Sequence, residues 1–181
     1  MSSLAGRSRI DRPLPRSKQE VSLSAFAFLF SELIQYSQSR VDTTDQLQAK
    51  LKDAGVGIGR RVLELSSLRE KANRRETRML GILQFITGTV WKLLFGAAAD
   101  SLEKSVEEED EFMIVEKAPL VNTYISAAPC NCAAFVAGVV AGVLEAAHFP
   151  ARVSAHEYED SRTVILIKFA PEVIQREKRQ D

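Results

Sequence analysis

The chain has 181 residues, its 24 Lys and Arg are balanced by 24 Asp and Glu, and 45% of its residues are hydrophobic. This length suits one domain with a substantial core, and the hydrophobic share excludes wholesale disorder. A net charge of zero provides no general attraction to nucleic acid or anionic lipid. Two cysteines, Cys130 and Cys132, are too few for a disulfide framework and favour a reducing, intracellular compartment.

The N-terminal segment 1–19 predicts a flexible basic arm, because it is rich in Arg and Ser, contains prolines and lacks the apolar stretch of a secretory signal. Residues 20–181 predict a single domain. The apolar segment 80–99 carries Lys92, and the segment 132–147 is shorter than a bilayer span requires. Both segments therefore predict buried helices, and no membrane anchor is expected.

Apolar residues at helical spacing dominate the first half of the chain and predict a first helix at 21–40, a second helical region at 44–54 and 56–69, and a long third helix at 76–95. The second helical region is expected to be interrupted around Gly55, Gly57 and Gly59. Gly96 stands where a residue just beyond a helix C-cap is expected.

The second half begins with the acidic run 107–111, which predicts a solvated loop. Four strands are then predicted by their apolar and β-branched residues, at 112–116, 120–126, 152–158 and 163–169. The long apolar run at 132–148 predicts one helix between the second and third of these strands. The last two strands form a hairpin candidate, and Pro171 suits the first turn of a short terminal helix. Helices followed by an antiparallel sheet with one embedded helix indicate an α+β fold.

No set of residues predicts catalysis, a cofactor or a metal. Cys130, Cys132, His148 and His156 form a Cys₂His₂ set by number only, since one helix would hold Cys132 and His148 roughly 24 Å apart. The three glycines at 55, 57 and 59 follow a helix and not a strand, so they lack the context of a phosphate loop. The sequence therefore predicts a protein that is not an enzyme.

The first predicted helix has an unusually wide apolar face. Its apolar arc covers about half of the circumference, whereas a surface helix needs an arc only a little over 100° wide. The arc consists of Leu23, Phe26, Ala27, Leu29, Phe30, Leu33, Ile34 and Tyr36, and Phe28 lies outside it among polar residues. Two interpretations are open: a central core helix, or a helix that packs partly on another subunit together with leucines of the next helix. The second interpretation predicts partner contacts at Phe26, Phe28, Phe30, Leu33, Ile34, Leu47 and Leu51.

Several strings along the chain resemble the Bet-three-like family of small subunits of the transport protein particle (TRAPP). They occur in the same order as in that family: EVSLSAFA (20–27), FSEL (30–33), RET (75–77), VWKLLFG (90–96), PLVNTYIS (119–126), NCAAFVAG (131–138) and FPARVSAH (149–156). Only the N-terminal arm is not covered by the resemblance.

The resemblance implies three to four helices on an antiparallel sheet of about four strands. It also implies a non-catalytic scaffold subunit that forms heterodimers with related small TRAPP subunits through its first two helices. Such complexes tether vesicles in ER-to-Golgi transport and, as a whole, promote nucleotide exchange on a Rab GTPase. The expected location is cytoplasmic, peripheral at the cis-Golgi and the endoplasmic reticulum exit region.

An alternative function is a reversible acyl-chain or lipid-binding module of the same fold. Its apolar pocket would be lined by Ile82, Phe85, Ile86 and Phe135. Covalent acylation is not expected, because the family's acylated subunit carries a cysteine a few residues before its Arg-Glu-Thr string, where this chain has Lys71 or Ala72.

Overall fold

The computed structural model describes residues 21–70, 75–123, 125, 130–158 and 162–179. The predicted arm 1–19, the segment containing Lys71 and Ala72, and residues 126–129 lie outside them. Within this part of the chain, seven α-helices accompany one four-stranded sheet. The helices are α1 Leu23–Gln38, α2 Thr44–Glu70, α3 Met79–Phe85, α4 Trp91–Phe95, α5 Leu120–Thr123, α6 Ala134–Ala146 and α7 Pro171–Lys178.

The sheet is antiparallel throughout and has the strand order β1-β2-β4-β3. Its strands are β1 Ser101–Lys104, β2 Glu111–Glu116, β3 Ala151–Glu157 and β4 Thr163–Phe169. The β3–β4 hairpin is confirmed, because the two strands pair antiparallel in continuous register from Ala151 opposite Phe169 to Glu157 opposite Thr163. The expected α+β fold is likewise confirmed.

Two expectations for the sheet were wrong. Residues 120–123 form helix α5 and not a strand; Pro119 directly precedes this helix, and its carbonyl accepts a hydrogen bond from the Asn122 N–H. The edge strand β1 was not predicted, because two of its four residues are exposed and the other two are only half-buried. Short, charged edges of this kind show little alternation in the sequence.

The predicted break in the second helix was also wrong. Helix α2 runs without interruption through its glycines, and at Gly55 and Gly59 it lies so close to α6 that a side chain would not fit. A Cβ atom at Gly55 or Gly59 would collide with the α6 backbone, and one at Gly138 or Gly142 would collide with the α2 backbone. Glycines from both helices therefore make this close approach possible.

The predicted third helix is divided. A π-helical turn, Ile86–Val90, separates α3 from α4, and Gly96 follows α4 with the expected left-handed φ of 83°. The N-terminus of α3 is capped from elsewhere in the chain, because the Met79 N–H donates to Glu177 Oε2 of α7 at 3.0 Å. The cap therefore links the start of α3 to α7.

The core lies between the inner face of the sheet and the helices. Ile114, Ile165 and Ile167 are buried on that face, and helix α6 is buried from Ala134 to Val140. Because α6 packs against both β3 and α2, it is covered on nearly all sides, which explains its almost uninterrupted apolar sequence.

Candidate functional site

Helix α1 has two apolar faces with different environments. On the inner face, Phe30 and Ile34 are buried. The Phe30 ring stacks on Phe26 at a centroid distance of 5.6 Å and meets Phe135 of α6 edge-on at 5.1 Å. This face therefore belongs to the core of the chain itself.

The outer face of α1 is apolar and open to solvent. The Phe28 side chain is 78% exposed and that of Leu29 is 72% exposed. Residues at spacings of three, four, seven and eight lie on one side of a helix. The exposed residues that share this side, called the outer α1 stripe below, are Val21 just before the helix and Ala25, Phe28, Leu29, Glu32, Gln35 and Tyr36 within it.

The structure divides the seven predicted interface residues into two groups. Phe28 is exposed, and Phe26 and Leu33 are half-buried. The other four are buried in the core of the chain, so their side chains are not available as contact surface: Phe30, Ile34, Leu47 and Leu51. Leu29 and Tyr36 were counted in the apolar arc of the sequence but were not assigned to the interface. The interface itself stays a prediction, and it now depends on the outer α1 stripe.

The structure also contains an apolar cavity, but none of the four predicted pocket residues lines it. Ile82 and Ile86 are packed in the core, as is Phe135, and Phe85 is half-buried against them. The cavity has a volume of about 220 Å³ and lies where the C-terminal end of α4 meets the sheet. This Trp91 pocket is lined by Trp91, Phe95, Ala97, Ala98, Glu116, Ala118, Pro119, Leu120, Ala133, Val136, Thr163 and Ile165.

Polar groups in the Trp91 pocket come from helix α4 and two adjacent strands. The Trp91 indole N–H donates to Glu116 Oε1. Burial raises the pKa of Glu116 above its ordinary value, and the nearby negative charge of Asp100 acts in the same direction. Glu116 continues the inward alternation of Phe112 and Ile114 on β2, and this acid at an inward position was the sequence signal that was missed.

Neither cysteine is suited to nucleophilic chemistry. Burial raises the pKa of the Cys132 thiol to about 12, and burial also raises that of Cys130. The reactive form of a cysteine is the thiolate, which is scarce at neutral pH under these conditions. His156 contacts the Ser154 hydroxyl at 2.8 Å on β3, and His148 lies at the C-terminal end of α6. The hydroxyl–imidazole contact of Ser154 and His156 lies on an exposed part of β3, outside the Trp91 pocket.

A small antiparallel α+β domain with an exposed apolar helix face defines a class of protein that assembles with others. The model of the transport protein particle (TRAPP) component family matches residues 26–170, and the chain belongs to this family. A trafficking protein particle complex subunit 5 from Dictyostelium discoideum is 55% identical over 176 residues, covering 92% of this chain and 95% of its own. The Homo sapiens protein of the same name is 48% identical over 173 residues, covering 93% and 91%. Within the family, the strings quoted above resemble subunit 5, and these relatives confirm that resemblance.

A solved structure supports the fold independently of the sequence. A trafficking protein particle complex subunit 3 from Naegleria fowleri, covalently bound to palmitic acid, superposes with a TM-score of 0.70 at 13% identity. The match covers 82% of this chain and 95% of that chain. At this identity, the likeness establishes the common fold.

Proposed function

We propose that this chain is a non-catalytic scaffold subunit of a vesicle-tethering TRAPP complex and pairs with a related small subunit through the outer α1 stripe. Membership in the family of TRAPP components and the names of the relatives support the role as a subunit. The single observation that carries the choice of surface is the exposure of the large apolar side chains Phe28 and Leu29 next to each other on the outer side of α1.

The composition of the stripe suits a protein partner. Interface cores are depleted in charge and enriched in aromatic residues. The outer α1 stripe contains two aromatic residues, Phe28 and Tyr36, and one charged residue, Glu32. At its C-terminal end, the Arg40 guanidinium lies 4.4 Å from the centre of the Tyr36 ring, so a polar group borders the apolar surface. A second amphipathic helix of a sister subunit is the partner that such a stripe accommodates.

The finer parts of the proposal rest on the resemblance to the family. The complex would act in ER-to-Golgi transport, support nucleotide exchange on a Rab GTPase as a whole, and associate peripherally with cis-Golgi and endoplasmic reticulum exit membranes. Within the described residues, none of the helices combines the length and apolar composition that crossing a bilayer requires.

The proposal is tested by replacing both exposed side chains, Phe28→Ser with Leu29→Ser, in a tagged chain expressed in its source cells. Full burial of one such side chain contributes about 1.5–3 kcal/mol, so the pair contributes about 3–6 kcal/mol to association. At about 1.4 kcal/mol per factor of ten, affinity should fall by roughly a hundredfold or more. Related small subunits identified by mass spectrometry should therefore disappear from the purified material.

Val106→Ser is the matched control, because Val106 is fully exposed but lies between β1 and β2. This variant should purify with the same companions as the unmodified chain. Circular dichroism of the double variant should be unchanged, since neither replaced side chain contributes to the core. The proposal is refuted if the folded double variant retains its sister subunits in full stoichiometry.

A further inference from the structure

A carboxylate without a cationic partner lies in the apolar Trp91 pocket. Glu116 is half-buried there, and no Lys, Arg or His of the described residues forms a salt bridge with it. Asp100, which is also negative, raises the pKa of Glu116 through its charge, although its backbone N–H donates to the Glu116 carboxylate. Its Oδ2 accepts the Lys117 backbone N–H at 2.8 Å. A carboxylate loses hydration when it is buried, and a cation bound beside it in the pocket would stabilise its charge.

The Thr163 hydroxyl is a second unsatisfied group at the same place. Thr163 is 1% exposed, and its Oγ1 has no hydrogen-bond partner among the described residues. Glu116 and Thr163 are directly opposite in the β2–β4 register, so their side chains lie on the same face of the sheet. Both residues line the pocket. Buried hydroxyls are normally hydrogen-bonded, and an exception at a cavity indicates a missing partner.

We infer that the Trp91 pocket binds an alkylammonium group, with the ammonium beside Glu116 and Thr163 and its aliphatic chain against Phe95 and Ile165. An ammonium has three N–H donors. The threonine hydroxyl can accept one of them, and so can the Glu116 carboxylate, which also accepts from the Trp91 indole and from the Asp100 backbone N–H. The Trp91 indole N–H, which donates to Oε1 of this carboxylate, keeps Glu116 oriented into the pocket.

The size and charge of the pocket narrow the ligand class. Its volume of about 220 Å³ is smaller than the cavities of drug-sized ligands, so it suits a short aliphatic chain. The Glu116 carboxylate in the pocket lining repels an anionic head group, and the nearby Asp100 has the same charge, so fatty acids are not the preferred ligands. The raised pKa of Glu116 agrees with a cationic ligand, because burial disfavours the charged carboxylate and a bound cation would offset that cost. The alkylammonium group can belong to a lysine side chain of another polypeptide or to a free amine.

Trp91 is the only tryptophan of the chain, so its indole N–H resonance reports on this pocket alone. The experiment titrates the ¹⁵N-labelled full chain with n-butylammonium, 1-butanol and butyrate at constant sodium chloride. Butylammonium should shift the resonance to saturation, and butanol should bind about tenfold more weakly because a charge-assisted hydrogen bond is lost. Butyrate should leave the resonance unchanged.

A second arm of the titration distinguishes the two sources of the group. A blocked Gly-Lys-Gly peptide that binds as tightly as butylammonium indicates a lysine side chain of a polypeptide. A peptide that fails to bind, while butylammonium binds, indicates a free amine. Both results support the pocket as an alkylammonium site.

Two substitutions test whether the charge of Glu116 is needed for binding. Glu116→Gln retains an oxygen acceptor for the Trp91 indole but removes the charge, and it should weaken butylammonium binding by about tenfold or more. Glu103→Gln, an exposed position on β1, is the matched control and should bind like the unmodified chain. The inference is overturned if butanol or butyrate binds as tightly as butylammonium, if no probe moves the resonance, or if Glu116→Gln binds without loss.

Discussion

Substitution by alanine at Gly57 and at Gly59 of α2 should change the free energy of unfolding in opposite directions. The Gly59 position faces the α6 backbone, where a Cβ would collide with the carbonyl group of Val139. At Gly57, the nearest atom to an added Cβ is a guanidinium nitrogen of Arg61 at 3.3 Å, and Arg61 is an exposed side chain that can move. Both positions are helical, so alanine has the same intrinsic effect on the helix at each.

The magnitudes follow from this difference. Alanine is favoured over glycine inside a helix by about 1 kcal/mol, so Gly57→Ala should raise the free energy of unfolding by up to that amount. Overpacking costs about 1–3 kcal/mol, and a collision with backbone falls at the upper end because no rotamer change relieves it. After subtraction of the helix term, Gly59→Ala should lower the free energy of unfolding by about 2 kcal/mol. For a chain of this length, 1 kcal/mol corresponds to about 2–4 °C in Tm.

Thermal unfolding monitored by circular dichroism at 222 nm measures both variants, and urea titration supplies the free energies. We expect Gly57→Ala to unfold at a slightly higher temperature than the unmodified chain and Gly59→Ala at a clearly lower one. Equal shifts in one direction would show that α2 and α6 are not in backbone contact at Gly59, and the argument from close approach would then be refuted.

Two further predictions concern Glu177 and Glu116. Glu177→Ala removes the acceptor for the Met79 N–H at the start of α3, so it should lower the free energy of unfolding in urea by about 1 kcal/mol. The control Gln175→Ala, at an exposed position of the same helix, should change this free energy little. Equal effects of the two substitutions would contradict the capping role of Glu177. The folded-state pKa of Glu116 lies above its ordinary value of 4.5, so its protonation stabilises the fold at acidic pH and this contribution is lost as the pH rises. The free energy of unfolding of Glu116→Gln relative to the unmodified chain should therefore increase between about pH 4 and pH 7 in parallel urea titrations, and a difference independent of pH would contradict the burial of the carboxylate.

Elements with a strong local pattern were predictable from the sequence. The β3–β4 hairpin, the apolar helix α6 and the proline at the start of α7 each depend on residues close together in the chain. The left-handed conformation of Gly96 follows from its place just after a helix. In such segments, the local preference and the final environment agree, so the pattern is sufficient.

The glycines of α2 show why other elements were not predictable. A run of glycines in isolation weakens a helix, and the sequence therefore indicates a break. In the fold, Gly55 and Gly59 allow α6 to approach, and the resulting contact outweighs their weak helix preference. Strand β1 is a similar case, because its extended form depends on pairing with β2 and not on its own residues.

The sequence by itself determined the family, the α+β class and the excess of apolar residues on α1. Each of these follows from short sequence motifs or from the spacing of apolar residues, which can be recognised without the three-dimensional structure. Only the tertiary structure decided which side of α1 is buried and which, through Phe28 and Leu29, faces solvent. It also brought Trp91, Glu116 and Thr163 to one cavity from one helix and two strands. Periodicity specifies that a face is apolar, but the packing of distant elements determines what covers that face and which polar groups meet beneath it.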